Sequence, residues 1–423
     1  MKYKGMGYLR RKLASRKDRC ETRYDYYEMK NQMVDISSVI PPEFRWLKEC
    51  LGWCSKAVDS IADRISFVEF SNDNFNIQEI YDMNNPDVLF DSAIISSLIT
   101  SCSFIYISQK VGEMPRLQVI DGRHATGIID PITNMLIEGY AILEEDVLGN
   151  PIIEAYFIQG VTYFYERGEK PYKIKNKAPY PLLVPIINRP DAKRPFGHSV
   201  ISRACISIQQ AAMRTLKRSE VSAEFYSFPQ KYVLGLEPGV EMDKWKATIS
   251  SLMQISKDED GDKPTVGQFA QQSMAPYVEQ LKMLASLFAG ETGLTLDDLG
   301  FSTENPSSVE AIKAQHENLR LKARKAQKTF ATGFINAGFL AACLRDGYTY
   351  SRDQIYLTKI KWAPIFEPDA SALSVIGDGA IKINQAVPGY FDKDNLKELT
   401  GIDYSASSST SNIDDMFKEE IDE

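Results

Sequence analysis

The sequence predicts an α+β fold, and three observations carry that expectation. Residues 1 to about 110 place apolar side chains at helical spacing; residues 103 to 188 change to short β-branched and aromatic runs broken by turn residues; long amphipathic helices dominate after 198. Strands gathered into one block, with helices in the blocks around it, point to an antiparallel meander.

The clearest early helix opens at Pro41-Pro42, since proline suits a first helical turn. Its apolar face runs through Trp46, Cys50, Trp53, Cys54, Ala57, Val58, Ile61 and Ile65. A second helical stretch, near 86 to 101, leads into a strand over Ser103 to Ser108. Phe104 to Ile107, Leu117 to Ile120, Gly139 to Leu143, Ile152 to Phe157 and Thr162 to Tyr165 read as an antiparallel meander, with Asp130-Pro131 and Gly149-Asn150-Pro151 as its loops. After a proline-rich strip at 179 to 195 comes a helix over about 198 to 226. Its inner stripe is small: Ile201, Ala204, Cys205, Ile208, Ala211, Ala212, Thr215, Leu216 and Ser219. Small side chains let helices approach closely.

Next, Gln230 to Leu234 reads as a strand, Asp243 to Met253 as a short helix, Asp258 to Lys263 as a charged turn and Thr265 to Phe269 as a further extended piece. A helix over 274 to 290 follows, with Leu281, Leu284, Ala285 and Phe288 on one face, and then a loop of acidic and small residues. The next helix starts near Asn305-Pro306 or at Ser307, where Ser307 and Glu310 have capping-box spacing, and runs to about 344. Its first half is cationic, with Lys313, Arg320, Lys322, Arg324, Lys325 and Lys328. The last 80 residues form a small mixed segment and a Ser-rich acidic tail from Tyr404.

A chain of 423 residues exceeds the size at which a single core stops growing, so more than one packed region is expected. A formal net charge of -8 sets no bulk attraction for polyanions. The cysteines Cys20, Cys50, Cys54, Cys102, Cys205 and Cys343 show no CxxC pair and are expected as reduced thiols. Cys50 and Cys54 would share a helix face, but His124, His198 and His316 all lie far off in sequence, so no zinc site is expected there. No apolar run approaches the roughly 20 residues that cross a bilayer, and no membrane partner is expected. The early cations Arg10, Arg11, Lys12, Arg16, Lys17 and Arg19 lack the apolar core of a signal peptide and read as a solvated helix face.

Enzyme signatures fail. There is no GxxxxGK[ST] phosphate loop. Gly197-His198-Ser199 resembles half a nucleophile elbow, but Ile201 stands where the second glycine belongs, and Ser199 is expected to cap the helix instead. Asp258-Glu259-Asp260-Gly261-Asp262 spaces carboxylates like a calcium loop, yet Phe269 occupies the position of the closing glutamate. Asp297 and Asp298 are adjacent, point in different directions and have no partner base, so capping and loop solubility are expected of them. Neither catalysis nor a cofactor is expected.

The order of these elements resembles that of the portal proteins of long-tailed bacteriophages, and three stretches sharpen the resemblance. Arg194-Pro195-Phe196-Gly197-His198-Ser199-Val200-Ile201-Ser202-Arg203-Ala204 resembles the start of the first stem helix. Phe228-Pro229-Gln230-Lys231-Tyr232-Val233-Leu234-Gly235 resembles the strand that leaves it for the clip. Leu294 to Gly300 with Asn305-Pro306-Ser307-Ser308-Val309-Glu310-Ala311-Ile312 resembles the tunnel loop and the long helix behind it. Together they cover roughly residues 40 to 400.

The resemblance implies a portal-type fold with a mixed helical and antiparallel β wing over 1–197. It implies stem helices over 198–226 and 273–290 around a small α/β clip over 227–272, then a tunnel loop over 291–306 and a long wing helix over 307–345. The C-terminal wing and crown would span 346–402, short for the class, before a mobile tail over 403–423. It also implies a ring, usually a dodecamer, at one capsid vertex, in the virion and in host cytoplasm during assembly. Double-stranded DNA would pass through this ring. The partners implied are the terminase large subunit, the major capsid protein, a scaffolding protein and a head-tail adaptor. Glu291, Asp297, Asp298, Glu304, Asn305 and Lys313 would face the channel, Ala204, Ile208, Ala211, Ala212 and Thr215 would pack the stem, and Trp245 with Asp258, Glu259, Asp260 and Asp262 would meet partners at the clip. Net acidity suits a transit channel, because each neutralised phosphate would hold the duplex back. The same composition also permits a capsid or connector protein without a DNA channel.

Overall fold

The structure, a computed structural model, describes residues 3–34, 44, 46–110, 112–227, 231–234, 265–268, 273–301, 314–365 and 370–400. Helix α1 (Met6–Tyr27) opens the chain, followed by α2 (Trp53–Ala62), β1 (Phe67–Ser71), α3 (Ile77–Asp82) and α4 (Pro86–Thr100). Helix α4 is apolar nearly all round, as its run Leu-Phe-Asp-Ser-Ala-Ile-Ile-Ser-Ser-Leu-Ile requires, and so it is the central buried helix.

The β block then follows: β2 (Cys102–Ser108), β3 (Arg116–Ile120), β4 (Ala125–Ile129), β5 (Leu136–Glu145), β6 (Pro151–Ile158), β7 (Val161–Glu166), β8 (Tyr172–Lys175) and β9 (Leu183–Ile187). The antiparallel meander expected from the sequence is present. It forms one sheet of order β4-β5-β6-β7-β8 and a second of order β3-β2-β9, every pair antiparallel.

Helix α5 (Arg203–Ser227) leaves this body, and β10 (Lys231–Leu234) pairs with β11 (Thr265–Gln268) from Lys231↔Gln268 to Leu234↔Thr265. Helices α6 (Ala275–Thr292) and α7 (Glu317–Arg345) follow, then β12 (Lys359–Trp362), which pairs with β1, and α8 (Ala370–Ala386) and α9 (Lys393–Thr400). The C-terminal half of α7, from Phe330 to Cys343, is buried almost without interruption. It lies so close to β9 that a Cβ on Gly333 would stand 2.6 Å from Ile186 Cδ1 and 3.0 Å from the Pro185 carbonyl. Rings of Phe67, Phe70, Tyr81, Phe90, Phe334 and Trp362 join the first helices to α7, with Phe90 at 4.1 Å from both Phe67 and Phe334.

Three expectations are corrected. Residues 35–43 and 45 lie outside the described residues, but 47–52 are not helical and the helix begins at Trp53. Trp46 is 73% exposed and Cys50 is also exposed, so neither shares the buried face of Cys54. The break falls at Gly52, and Gln209 from α5 completes the helix start: its Oε1 accepts from Cys54 N at 2.9 Å and its Nε2 donates to Leu51 O at 2.6 Å.

Second, the early cations do not form one solvated face: Arg11 and Arg19 face water as expected, whereas Arg10, Lys12, Arg16 and Lys17 contact the body of the chain. Arg10 pairs with Glu154, Lys12 Nζ donates to Gly127 O at 2.6 Å and lies over the Phe196 ring, and Lys17 pairs with Glu145 at 3.4 Å. Burial, then the neighbouring Arg16, holds the Lys12 ammonium down at about 8. These contacts, with Leu9 and Leu13 against Tyr140, dock α1 on the outer face of β4 and β5.

Third, α5 begins at Arg203, and its capping residue is Ser202, whose Oγ accepts from Cys205 N at 3.2 Å. Ser199 instead donates to Ile99 O at 2.5 Å.

Candidate functional site

Helices α5 and α6 form an antiparallel hairpin. Ser202 Oγ donates to Glu291 Oε1 at 2.9 Å at one end, and the Ser222 and Tyr277 hydroxyls meet at 2.8 Å at the other. Its inner face buries Cys205, Gln209, Ala212 and Met213 from α5 and Leu284, Ala285 and Phe288 from α6, where Phe288 packs 5.5 Å from the Trp53 ring. Two adjacent glutamines anchor α5. Besides the Gln209 contacts, Gln210 Nε2 donates to Tyr26 Oη at 2.5 Å and Gln32 O at 3.0 Å, and its Oε1 accepts from Val34 N at 3.0 Å.

The residues singled out for stem packing divide between two faces. Ala212 and Thr215 are buried in the chain's own core, Ile208 and Ala211 are half-buried, and Ala204 is exposed beside exposed Ser207. On α6 the outward residues Val278, Met283 and Leu287 are each more than half exposed.

The loop after α6 is built by short local contacts. Gly293, at φ +82, ends the helix in the left-handed region that favours glycine. Lys322 from α7 donates to Glu291 O at 3.0 Å and Thr292 O at 2.6 Å, filling the carbonyls that a helix end leaves open. Asp298 Oδ2 accepts from Thr295 N and from Thr295 Oγ1, both at 2.9 Å, and Thr295 Oγ1 accepts in turn from Asp298 N at 3.2 Å. The Asp298 carboxylate is thus turned into the loop, where it holds Thr295, and no side chain caps the short 3-10 turn Asp297–Leu299. Asp297 is exposed, and Glu291 is exposed with one oxygen on Ser202. A cavity of about 230 Å³ lies between this loop and the segment that follows β9, lined by Asn188, Arg189, His198, Ser202, Glu291 and Lys322.

Among the cations of α7, Arg320 makes a two-point pair with Glu317 at 2.6 Å and Lys322 is the clamp just described. Arg324, Lys325 and Lys328 are exposed and make no ion pair among the described residues. Glu304, Asn305 and Lys313, like Trp245, Asp258, Glu259, Asp260 and Asp262, lie outside the described residues.

Sequence reasoning missed one polar cluster. His124 Nδ1 meets Asp121 Oδ2 at 2.9 Å and its Nε2 meets Glu145 Oε2 at 3.2 Å, with Arg123 on Asp121 and Lys17 on Glu145. The hydrogen bond to Asp121 raises the imidazole above its ordinary value, against burial. The only signal was an Asp-x-x-His spacing between two strands. The glutamine pair gave a clearer one: two polar residues inside an otherwise apolar helical stripe.

The chain falls in a known class, the phage portal proteins. Residues 7–371 match the family described as "Phage portal protein, SPP1 Gp6-like", and the chain belongs to that family. It is a structural component of a bacteriophage virion and not an enzyme. The portal protein of Mycobacterium phage D29 is 24% identical over 398 residues, covering 89% of this chain and 81% of its own. That of Mycobacterium phage L5 is 23% identical over 380 residues, covering 85% and 77%. A chain of a solved gene transfer agent virion aligns over 84% of this chain and 90% of its own, at 13% identity and a TM-score of 0.45. Among the described residues no helix is long and apolar enough to cross a membrane.

Proposed function

We propose that copies of this chain stand side by side about an axis, as a dodecameric ring at one capsid vertex, and that double-stranded DNA passes through the bore during packaging and ejection. The observation that carries this reading is the pair of outward faces on the hairpin. Helix α5 offers Ala204 and Ser207 to solvent beside half-buried Ala211, while α6 offers Val278, Met283 and Leu287. Small residues on one helix and protruding apolar ones on the other suit close packing of neighbouring hairpins.

In this reading the stem is 198–226 with 273–290, the clip 227–272, and the tunnel loop 291–306. Residues 1–197 with 307–345 form the wing, and 346–402 complete it with a short crown. Glu291, Asp297 and Glu304 would keep the duplex from adhering by repelling phosphate, while Lys313 and the free cations of α7 offer weak, salt-sensitive contacts. Trp245 and the 258–262 turn meet the terminase large subunit during filling and the head-tail adaptor afterwards. The wing meets the major capsid protein and, during assembly in the host cytoplasm, the scaffolding protein.

Negative-stain images of the purified protein should show closed rings with a central hole, and particles labelled on this chain should carry the label at one vertex. Label spread over the whole shell would defeat the reading.

A further inference from the structure

The turn between β5 and β6 holds two apolar side chains in water: Val147 is 104% exposed and Leu148 85%. Single exposed hydrophobes are ordinary on protein surfaces. These two differ because the backbone beneath them is fixed. Asp146 Oδ1 accepts from Leu148 N at 3.0 Å and Asn150 N at 2.8 Å, and its Oδ2 accepts from Arg167 at 2.9 Å. The turn is closed by Asp146 N donating to Asn150 O and Gly149 N donating to Asp146 O, both at 2.9 Å. A tip so ordered before contact loses little entropy on docking.

The far end of the same sheet carries a groove. The pairs Glu145↔Pro151 and Ile153↔Glu166 put the 146–150 turn at one end, whereas Ile158↔Val161 and Val161↔Lys175 put the end of β8 at the other. Strand β5 spans ten residues, so the two ends are roughly 30 Å apart. At the β8 end a groove of about 520 Å³ is lined by Ile107, Phe164, Ile174, Leu182 and Leu344. On its rim Lys110, Lys175 and Lys177 are exposed and make no ion pair among the described residues. The tip end carries the exposed carboxylates of Glu144 and Glu169, with Arg167 paired to Asp146 and Lys170 exposed beside Glu169, so its balance is acidic.

We infer that the β5–β6 tip of one copy seats in the groove at the β8 end of the next, with Val147 and Leu148 covering its apolar floor and Glu144 facing its lysines. The occupant is a second copy of this chain because plug and socket differ, lie at opposite ends of one rigid sheet and carry opposite charge. Such a head-to-tail contact, repeated, generates a ring when its rotation closes. The inference rests on the ring reading above and assigns the wing contact within it.

The test is a cysteine pair, Leu148→Cys with Ile174→Cys, in a Cys50→Ser background. The pair is oxidised in assembled rings, either purified alone or extracted from particles. The double variant should give a ladder of covalent multimers on a denaturing gel, and neither single variant should. Leu148→Asp, at an exposed position, should leave the thermal midpoint of the subunit unchanged and lower ring yield on the order of tenfold, as expected when a carboxylate is forced into an apolar seat. Intact double-variant rings that give no ladder, or Leu148→Asp rings at full yield, overturn the contact and leave the portal reading standing. Wild-type protein that yields no ring from either source overturns the ring reading, and the contact with it.

Discussion

Lys322 on α7 donates its ammonium to the main-chain oxygen of Thr292, the last residue of α6, at 2.6 Å. A cation at a helix C-terminus meets the negative end of the helix dipole. Here it also determines where the loop 293–301 leaves the hairpin. Burial, and then Arg189, hold this ammonium below its ordinary value, so the clamp is made at some cost.

Replacing Lys322 with methionine keeps the aliphatic stem and removes the donor. The variant should lose about 1.5–3 kcal/mol of stability, the range for hydrogen bonds from charged groups. Urea unfolding of the subunit measures this, and an unchanged midpoint would remove the clamp.

Gly197, in the stretch that precedes α5, sits at φ +71, where an added Cβ would stand 2.0 Å from the Asn188 carbonyl. That carbonyl accepts from His198 N at 2.9 Å, so it cannot withdraw freely. Gly197→Ala should cost about 3 kcal/mol or more through strain and overlap together. Thermal unfolding of the variant beside wild type reads the loss directly.

Gly333→Ala sets a helix preference worth about 1 kcal/mol against overlap with Ile186 Cδ1 at 2.6 Å. The overlap should prevail, with a net loss of about 1–3 kcal/mol. Adding Ile186→Val removes the nearest atom, and the double variant should recover part of that loss in the same assay.

Stability should depend on pH through His124. A base whose pKa is raised by folding contributes stability that is complete below its ordinary 6.5 and lost as pH rises through the higher folded value. Its partner Asp121 is pushed up by burial but held at about 2 by His124 and Arg123, so that contribution is present above 3.8 and lost as pH falls toward 2. The advantage of wild type over His124→Gln should therefore be largest between 3.8 and 6.5 and shrink above 6.5. Thermal midpoints of both proteins across this range test it.

Reversing the loop charges with Asp297→Lys and Glu304→Lys should slow DNA packaging while rings still form, because new phosphate contacts would retard the duplex. Asp298 is left out of this test, since its carboxylate holds Thr295 and its loss would disturb the loop itself. Packaging at the wild-type rate would remove the acidic loop from the channel.

What could be read from the sequence was what short-range periodicity determines. Helix α4, the strand run over 103–188 and the hairpin helices each declare themselves within a few turns or a few alternations. What failed was decided by partners far away in the chain. The helix expected from Pro41 starts at Trp53 because Gln209 supplies its first hydrogen bonds from 155 residues away. The early cations looked solvated because Glu154 and the Gly127 carbonyl, which receive Arg10 and Lys12, lie more than a hundred residues later. Asp298 instead finds its partner close by, in Thr295 three residues before it.

Gln209 and Gln210 are consecutive, so on a helix they project about 100° apart. One grips the first turn of α2; the other grips Tyr26 and the segment at 32–34. Held in two directions at one level, α5 cannot swivel about its long axis without rupturing both grips. Torque applied at its far tip is therefore delivered to the N-terminal helices as a lever delivers it to its mount.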